Sequence, residues 1–221
     1  MDTALNAPIR RALPEDAAAV AELIATAFMD LPQSAVLVPE RDQRHQVLTA
    51  QFSIVVEHAL TPDGGGAIHV ISRPASAQGE PVIPAAAAVW FDNTADPPPP
   101  PPPDYDARLK AATGAWHDRF LHLDRVLTEH HPSEPHHFLL FLAVHPELQG
   151  RGLGGRLLDH CHRAHLGHAA AYLDAASPAS RDLYARHGYE ALPPYELTQG
   201  VRFWPMWRPA APLTYADDER R

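Results

Sequence analysis

A glycine-rich segment between a buried strand and a helix constrains this chain more than any other feature of its sequence. The segment reads Gln-Gly-Arg-Gly-Leu-Gly-Gly from Gln149 to Gly155, and it follows the apolar run 137–144, which Pro135 and Pro146 bound. A continuous apolar run of this length predicts a strand buried on both faces. The glycines permit a tight turn whose amides converge, and the following helix adds unsatisfied N–H groups and its positive dipole end. The sequence therefore predicts an anion site suited to phosphate or pyrophosphate.

The hydrophobic periodicity of the remaining chain predicts strands and helices on both sides of this segment. Towards the N-terminus we expect a strand, two helices, an antiparallel pair of strands and a third helix, at 9–13, 14–28, 41–60, 67–72, 82–92 and 105–129. Towards the C-terminus we expect helices at 153–166 and 178–187 and strands at 170–174, 189–197 and 201–207. Because no repeat or linker divides the chain, we predict one α/β domain over residues 1–221, with a core at about 9–208 and a mixed central sheet flanked by helices.

Charge and cysteine content argue against several classes of protein. The 221 residues include 27 acidic and 18 basic side chains, which leaves a net charge of −9 and disfavours nucleic acid or an anionic membrane as a partner. Cys161 is the single cysteine, so no intrachain disulfide can form, and the cytoplasm is the expected location. The longest strongly apolar run, Phe138 to Val144, is too short to span a bilayer, and we expect neither an export signal nor a membrane partner.

One compositional feature has no assigned function at this level. Pro97 to Pro103 form an unbroken run, and we predict a proline-rich loop over 96–104 in the polyproline II conformation. A rigid surface connector and a ligand for an SH3-like module are both compatible with it.

The fifteen histidines raise the question of a metal site. Cys161, His162 and His165 lie in one predicted helix and His168 follows it, at spacings that could present pairs of ligands. No carboxylate joins them at ligand spacing. We therefore predict histidines on an exposed helix face and no metal site.

Two other phosphate-binding motifs must be compared with the glycine-rich segment. A P-loop requires Gly-Lys followed by Ser or Thr, which the segment lacks. A dinucleotide-binding turn fits better, because Gly150, Gly152 and Gly155 match G-x-G-x-x-G and Asp174 ends the next predicted strand. However, too little chain follows Asp174 to complete a doubly wound sheet. An NAD(P)-dependent oxidoreductase of the Rossmann type therefore stays as a less favoured alternative.

Two motifs in the correct order resemble the GNAT superfamily of N-acetyltransferases. Gln149, Gly152 and Gly154 match the superfamily's first signature, and residues 183–189, Leu-Tyr-Ala-Arg-His-Gly-Tyr, match its Leu-Tyr-x-x-x-Gly-aromatic segment. The opening residues 9–12 also resemble the first strand of the superfamily. Within it, residues 131–135, the first signature and residues 172–178 are similar to the group of puromycin N-acetyltransferases.

The resemblance implies acetyl-CoA as the acyl donor, with its pyrophosphate on the amides of the glycine-rich segment. It also implies that the strand ending at Val144 splays from the parallel strand ending at Asp174, so that pantetheine pairs with the first strand. The cofactor-binding residues implied are Leu142, Ala143, Val144, Gln149, Gly150, Arg151, Gly152, Leu153, Gly154, Gly155, Ser177 and Ser180.

Acyl transfer from a thioester to an amine needs a neutral amine, a stabilised tetrahedral oxyanion and a proton for the thiolate. The resemblance implies the Val144 amide as the oxyanion donor. We select Tyr184 as the general acid, because a phenol is protonated at neutral pH. Asp174 is the candidate base, with His145 and Glu147 as alternatives, and a deprotonated amine would need no base.

The acceptor implied is a primary amine of a small molecule, bound where residues 29–45, 90–91 and 195–207 meet. Packing in the core is the commoner use of aromatic residues, and four of them are candidates for lining the pocket instead: Phe28, Trp90, Phe203 and Trp204. A non-catalytic acyl-CoA-binding regulatory module is the alternative from another class, and a homodimer stays open.

Overall fold

The computed structural model describes residues 6–72, 84–95 and 97–211. The strands are β1 (Ile9–Arg11), β2 (Gly66–Ile71), β3 (Ala86–Asn93), β4 (His136–Val144), β5 (Ala171–Ala175), β6 (Glu190–Ala191), β7 (Tyr195–Thr198) and β8 (Val201–Arg208). The helices are α1 (Ala17–Phe28), α2 (Pro32–Leu37), α3 (Arg41–Ala59), α4 (Tyr105–Thr113), α5 (His117–His130), α6 (Leu153–Ala164) and α7 (Pro178–Ala185). This is the mixed α/β arrangement that the sequence predicts.

The described strands form one mixed sheet in the order β1-β2-β3-β4-β5-β8-β6, and β7 pairs with β8 outside this path. Only β4 and β5 pair in parallel, whereas every other described pair is antiparallel. A doubly wound dinucleotide-binding sheet is built from parallel strands joined by helices. The observed topology is therefore not that of the Rossmann-type alternative.

Helices cover both faces of the sheet. Alternate side chains of a strand point to opposite faces, and in the central strands both sets are apolar and need covering. Ala87 and Val89 of β3 pack in one cluster with α1 and α3. Ala88 and Trp90 of the same strand pack in a second cluster with α6. The apolar run of β4 is consistent with this environment, since both faces of the strand are covered.

The parallel strands β4 and β5 separate after a short paired segment. Their register ends at Leu139 opposite Leu173. At the same point, the pairing between β3 and β4 shifts by one residue, so Leu140 forms a bulge. A bulge bends a strand and changes its local twist. The predicted splay between β4 and β5 is confirmed, and beyond Leu140 one edge of β4 does not pair with β5.

The structure differs from the sequence prediction in three elements. The helix expected at 105–129 is interrupted at Gly114, whose φ of 53° breaks it into α4 and α5. The strand expected at 189–197 is divided into β6 and β7 by the segment 192–194, which contains two prolines that cannot donate to a ladder. Helix α2, which begins at a proline, was not expected at all.

The proline-rich loop packs against the end of α3 and the start of β2. The His58 ring lies 2.9 Å from the Pro100 carbonyl oxygen, and Pro99 fills the space beside Gly65. Residues 97–102 form neither helix nor strand. Asp96 of the predicted loop, and the first two residues of the predicted strand 82–92, lie outside the described residues. Among the residues that are described, no helix has the length and apolar character needed to cross a membrane.

Candidate functional site

A cavity of about 690 Å³ opens where β4 and β5 separate. Its walls come from the second half of β4, the glycine-rich segment, the start of α7, and helices α1, α2, α3 and α5. Asp174, near the end of β5, and Ala176, which follows the strand, also line the cavity. One continuous space therefore joins the predicted anion site to a chamber under the N-terminal helices.

The glycine-rich segment has the conformation that only glycine adopts readily. Gly150 and Gly152 have φ values of 73° and 83°, and no heavy atom lies within 4 Å of a Cβ built on either residue. Gly155 is closely packed, since an added Cβ would lie 3.2 Å from the His187 ring and the ring would have to shift to accept it. The first helical hydrogen bond of α6 runs from Arg156 N–H to the Gly152 carbonyl. The three preceding amides, of residues 153–155, therefore have no acceptor within the helix and are available to an anion.

The unpaired edge of β4 presents main-chain groups to the same cavity. The His145 N–H donates to the Ala85 carbonyl at 2.9 Å, and Ala143 pairs with Ala87. Because bonded residues alternate along an antiparallel pair, the main-chain groups of Leu142 and Val144 point away from β3. The Gln149 side-chain amide donates to the Val144 carbonyl at 3.1 Å. The Leu142 and Val144 amides therefore remain for an extended ligand in the gap.

Tyr184 lies on α7 at the wall of this cavity. Its side chain is buried, and its ring meets that of Tyr189 edge to face at 5.9 Å between centroids. Among the described residues, no hydrogen bond is formed by its hydroxyl. Burial raises the pKa of the Tyr184 phenol above its ordinary value. The group is therefore protonated at neutral pH, as a proton donor must be.

Asp174 is a carboxylate held by tyrosines at the end of β5. The Tyr172 hydroxyl donates to Oδ1 at 2.8 Å. The Tyr195 hydroxyl approaches the same carboxylate outside hydrogen-bonding geometry, and Oδ2 has no partner among the described residues. Burial raises the pKa of Asp174 to about 6, although the nearby hydroxyls of Tyr195 and Tyr172 oppose the shift. A carboxyl group with a pKa in this range can both accept and release a proton near neutrality.

Ser177 and Ser180 line the cavity and also cap α7. The Ser180 N–H donates to the Ser177 hydroxyl at 3.1 Å, and the Ser177 N–H donates back to the Ser180 hydroxyl at the same distance. This reciprocal pair is a capping box. The two hydroxyls therefore have an established structural role at the position where the sequence predicts a cofactor contact.

The structure brings together most, but not all, of the predicted site residues. The side chain of Ala143 is buried in the core, and Arg151 does not line the cavity. The predicted residues that line it are Leu142, Val144, Gln149, Gly150, Gly152, Leu153, Gly154, Gly155, Asp174, Ser177, Ser180 and Tyr184.

Of the four aromatic residues proposed for the acceptor pocket, Phe28 and Phe203 line the cavity. Trp90 does not, because β3 turns its side chain into the core beneath α6, where it is fully buried. Trp204 packs against the same core. The prediction is wrong for these two residues because aromatic character alone does not indicate which face of a strand a residue occupies.

The sequence motifs do not identify the polar residues at the end of β5, near Asp174. Gln33 of α2 is buried, and its amide donates to the carbonyls of Ala176 and Arg202 at 3.0 and 2.8 Å. Tyr172 precedes Asp174 by two residues, so it was near enough in sequence to be considered. Tyr195 and Gln33 come from distant elements, and no sequence signal connected them with Asp174.

The helix expected to expose its histidines instead packs several of them on the sheet. His162 and His165 are half-buried, and the His165 ring lies 5.5 Å from that of His69 and 5.3 Å from that of His137. Burial raises the pKa of the Cys161 thiol to about 12, so this side chain is not a thiolate. No group of three or more His, Cys, Asp or Glu side chains in the described part of the chain is arranged to hold a metal ion.

Comparison with known proteins agrees with this geometry. Residues 120–191 match a family model described as an acetyltransferase (GNAT) domain. A crystal structure described as histone acetyltransferase HPA2 and related acetyltransferase, from Corynebacterium glutamicum, is 26% identical with a TM-score of 0.67, and the match covers 97% of this chain and 99% of that one.

Two further structures share the fold at lower identity. An apo variant of agmatine N-acetyltransferase is 20% identical with a TM-score of 0.54, covering 90% of this chain and 97% of the other. The Drosophila melanogaster polyamine N-acetyltransferase is 19% identical with a TM-score of 0.51, again covering 90% and 97%.

The chain therefore has the mixed α/β fold of GNAT acetyltransferases, and its matched domain contains the glycine-rich segment, Asp174 and Tyr184. The domain match and the structural neighbours support an enzyme of the acyl-CoA-dependent N-acetyltransferase class. GNAT acetyltransferases use acetyl-CoA as acyl donor.

Proposed function

We propose that this protein transfers an acetyl group directly from acetyl-CoA to a primary amine of a small molecule. The observation that carries the proposal is the continuous cavity at the splay. It joins an amide-lined glycine turn, an unpaired strand edge and two groups able to move protons.

The residues at the splay fit the acyl donor by the chemistry of their main chain. The open φ-positive turn leaves room and amides for a pyrophosphate, and the Leu142 and Val144 amides suit an extended pantetheine arm. The Gln149 side chain holds the end of β4 in place. We propose as the donor site the sequence-predicted cofactor residues that line the cavity, with Ser177 and Ser180 acting mainly through the cap of α7. Acetyl-CoA supplies the acetyl group as a thioester.

Three residues of the chain would perform the transfer. Asp174 accepts a proton from the attacking amine, either directly or through water. The Val144 N–H donates to the carbonyl oxygen as negative charge develops there. As the nitrogen–carbon bond forms and the carbon–sulfur bond breaks, Tyr184 donates its proton to the sulfur. Exchange with solvent returns a proton to Tyr184 and removes one from Asp174, so the cycle is balanced.

The similarity of residues 131–135 and 172–178 to puromycin N-acetyltransferases stays a prediction, and an aminonucleoside is one acceptor to test. The non-catalytic module is less favoured, because a buried Tyr184 and an Asp174 of raised pKa both face one cavity. A module that only bound acyl-CoA would need neither.

Two measurements test the proposal. Thermal-shift assays with acetyl-CoA, CoA and NADP should show stabilisation by the first two, whereas stabilisation by NADP alone would overturn the proposed donor. Release of CoA thiol should then depend on an added amine across a panel of aminonucleosides, aminoglycosides, polyamines, arylalkylamines and peptides. Binding of acetyl-CoA without amine-dependent release from any member would favour the non-catalytic module.

A further inference from the structure

The chamber beyond the splay contains one acidic side chain. Of the described residues that line the cavity, Asp174 is the only carboxylate. The other polar groups at the acceptor end, Gln33, Ser34 and Gln51, are neutral and mostly buried. The chamber therefore offers full charge compensation to one ammonium group and to no second one.

The polar end of the chamber is built around the end of β5. Gln33 donates both of its observed hydrogen bonds to main-chain carbonyls, including that of Ala176, two residues after Asp174. Its Oε1 atom is buried and has no partner among the described residues. The unpartnered oxygens of Gln33 and Asp174 are both hydrogen-bond acceptors. Both side chains line the cavity, and Gln33 is tied to the end of β5 through the Ala176 carbonyl, so the two acceptors suit the N–H groups of a single amine.

The opposite part of the chamber is an aromatic wall. The rings of Phe28, Phe52 and Phe141 meet edge to face, with centroids 4.9 to 5.9 Å apart, and all three line the cavity. Such a wall favours an apolar or aromatic group by area burial and ring geometry. A second ammonium would find at most cation–π contacts on this wall and no carboxylate, and burying a charge without an ionic partner is costly.

Resting on the proposed function, we propose that the acceptor is a primary monoamine with an apolar, preferably aromatic body. Its nitrogen lies at Asp174 and Gln33, and its body lies on the wall formed by Phe28, Phe52 and Phe141. Diamines and guanidinoamines are poor acceptors of this chamber. The chain shares its fold with agmatine and polyamine acetyltransferases, but a shared fold does not determine which amine is accepted. The charges that line the chamber determine it.

The direct test compares kcat/KM for 2-phenylethylamine, hexylamine, agmatine and putrescine at saturating acetyl-CoA. We expect kcat/KM for 2-phenylethylamine to exceed that for agmatine and for putrescine by about tenfold or more. The value for hexylamine should lie between that of 2-phenylethylamine and those of the two dications. A higher kcat/KM for agmatine or putrescine would overturn this inference and leave the proposed acetyl transfer intact. Amine-independent release of CoA, or none with any amine, would overturn the proposed function itself.

A charge-addition variant tests the stated cause. Gln51→Glu places a second carboxylate at the chamber wall, while Gln46→Glu adds the same charge to the same helix at an exposed position. We expect only Gln51→Glu to raise the ratio of kcat/KM for putrescine over 2-phenylethylamine, by about fivefold or more. An equal rise in both variants would indicate a long-range charge effect and overturn the assignment of the chamber.

A second variant keeps the proposal testable if Gln51→Glu unfolds. Phe52→Leu preserves most of the apolar volume but removes one ring of the wall. We expect it to lower kcat/KM for 2-phenylethylamine more than for hexylamine, with the melting temperature recorded for both proteins. An unchanged ratio of kcat/KM between the two monoamines would contradict the placement of the aromatic ring of the amine on this wall.

Discussion

Replacing Gly152 by alanine tests whether the glycine turn exists for a ligand or only for the chain's own folding. Gly152 is the N-cap of α6 with φ 83° and ψ 3°. An alanine Cβ would meet no heavy atom within 4 Å. The substitution therefore introduces no clash and acts through the backbone alone. Gly200, in the β7–β8 turn, is a matched control, because its φ is 80° and its Cβ position is equally open.

The magnitude follows from the cost of a left-handed conformation for a residue with a Cβ, roughly 1–2 kcal/mol. Both variants should lose about that much unfolding free energy, which corresponds to a fall in Tm of roughly 2–8 °C for a chain of this size. If Gly152→Ala relaxes to a lower φ, the free protein recovers part of this loss, its amides turn away from the anion, and restoring them on binding costs the free energy recovered, up to about 1–2 kcal/mol. For a relaxation of about 1–2 kcal/mol, the Kd for CoA should then rise by about 5- to 30-fold.

The assay pairs thermal unfolding with isothermal titration calorimetry of CoA on the wild type and both variants. We expect Gly152→Ala to be destabilised and to bind CoA more weakly, and Gly200→Ala to be destabilised alone. The reasoning would be refuted by wild-type affinity in a folded Gly152→Ala protein. It would also fail if Gly200→Ala weakened CoA binding to the same extent.

Two further substitutions test the assigned proton transfers. Tyr184→Phe should lower kcat by about tenfold or more with little change in the Kd for acetyl-CoA, and an unchanged kcat would remove Tyr184 from the role of acid. With the pKa of Asp174 raised to about 6, kcat/KM should rise with pH through about 6 in the wild type, and Asp174→Asn should lose this limb of the profile. Because the folded-state pKa of Asp174 lies above its ordinary value of 3.8, the folded state binds the extra proton between these values. The unfolding free energy of the wild type relative to Asp174→Asn should therefore fall as pH rises from about 4 to 6 and level off above pH 6. Thermal unfolding measures this difference. A rise over the same range would contradict the burial of this carboxyl group.

The parts of the fold that sequence predicts best are those in which one local signal determines the structure. Strand β4, the glycine turn and α6 are contiguous, and their apolar run, positive-φ glycines and helix start all appear within residues 136–164. Helix α7 is similar, since the Ser177–Ser180 cap is a local motif. Even the splay of β4 from β5 followed from a family resemblance carried by local motifs.

The parts that sequence did not predict depend on contacts between distant elements. The apolar positions of 105–129 continue in phase across Gly114, so periodicity alone missed the break between α4 and α5. The environment of Asp174 requires Tyr195 from β7 and the end of β5 to come together. Trp90 shows the opposite error, because a residue expected in a pocket was placed by strand alternation in the core.

The most direct test of the account follows a labelled acetyl group in a single experiment. The protein is incubated with acetyl-CoA labelled in its acetyl carbons and with 2-phenylethylamine, and both the small molecules and the intact protein are analysed by mass spectrometry. Direct transfer predicts one labelled N-acetyl amide for each CoA thiol released, with the mass of the protein unchanged throughout. Release of CoA without labelled amide, or accumulation of an acetylated protein that later acetylates the amine, would contradict it.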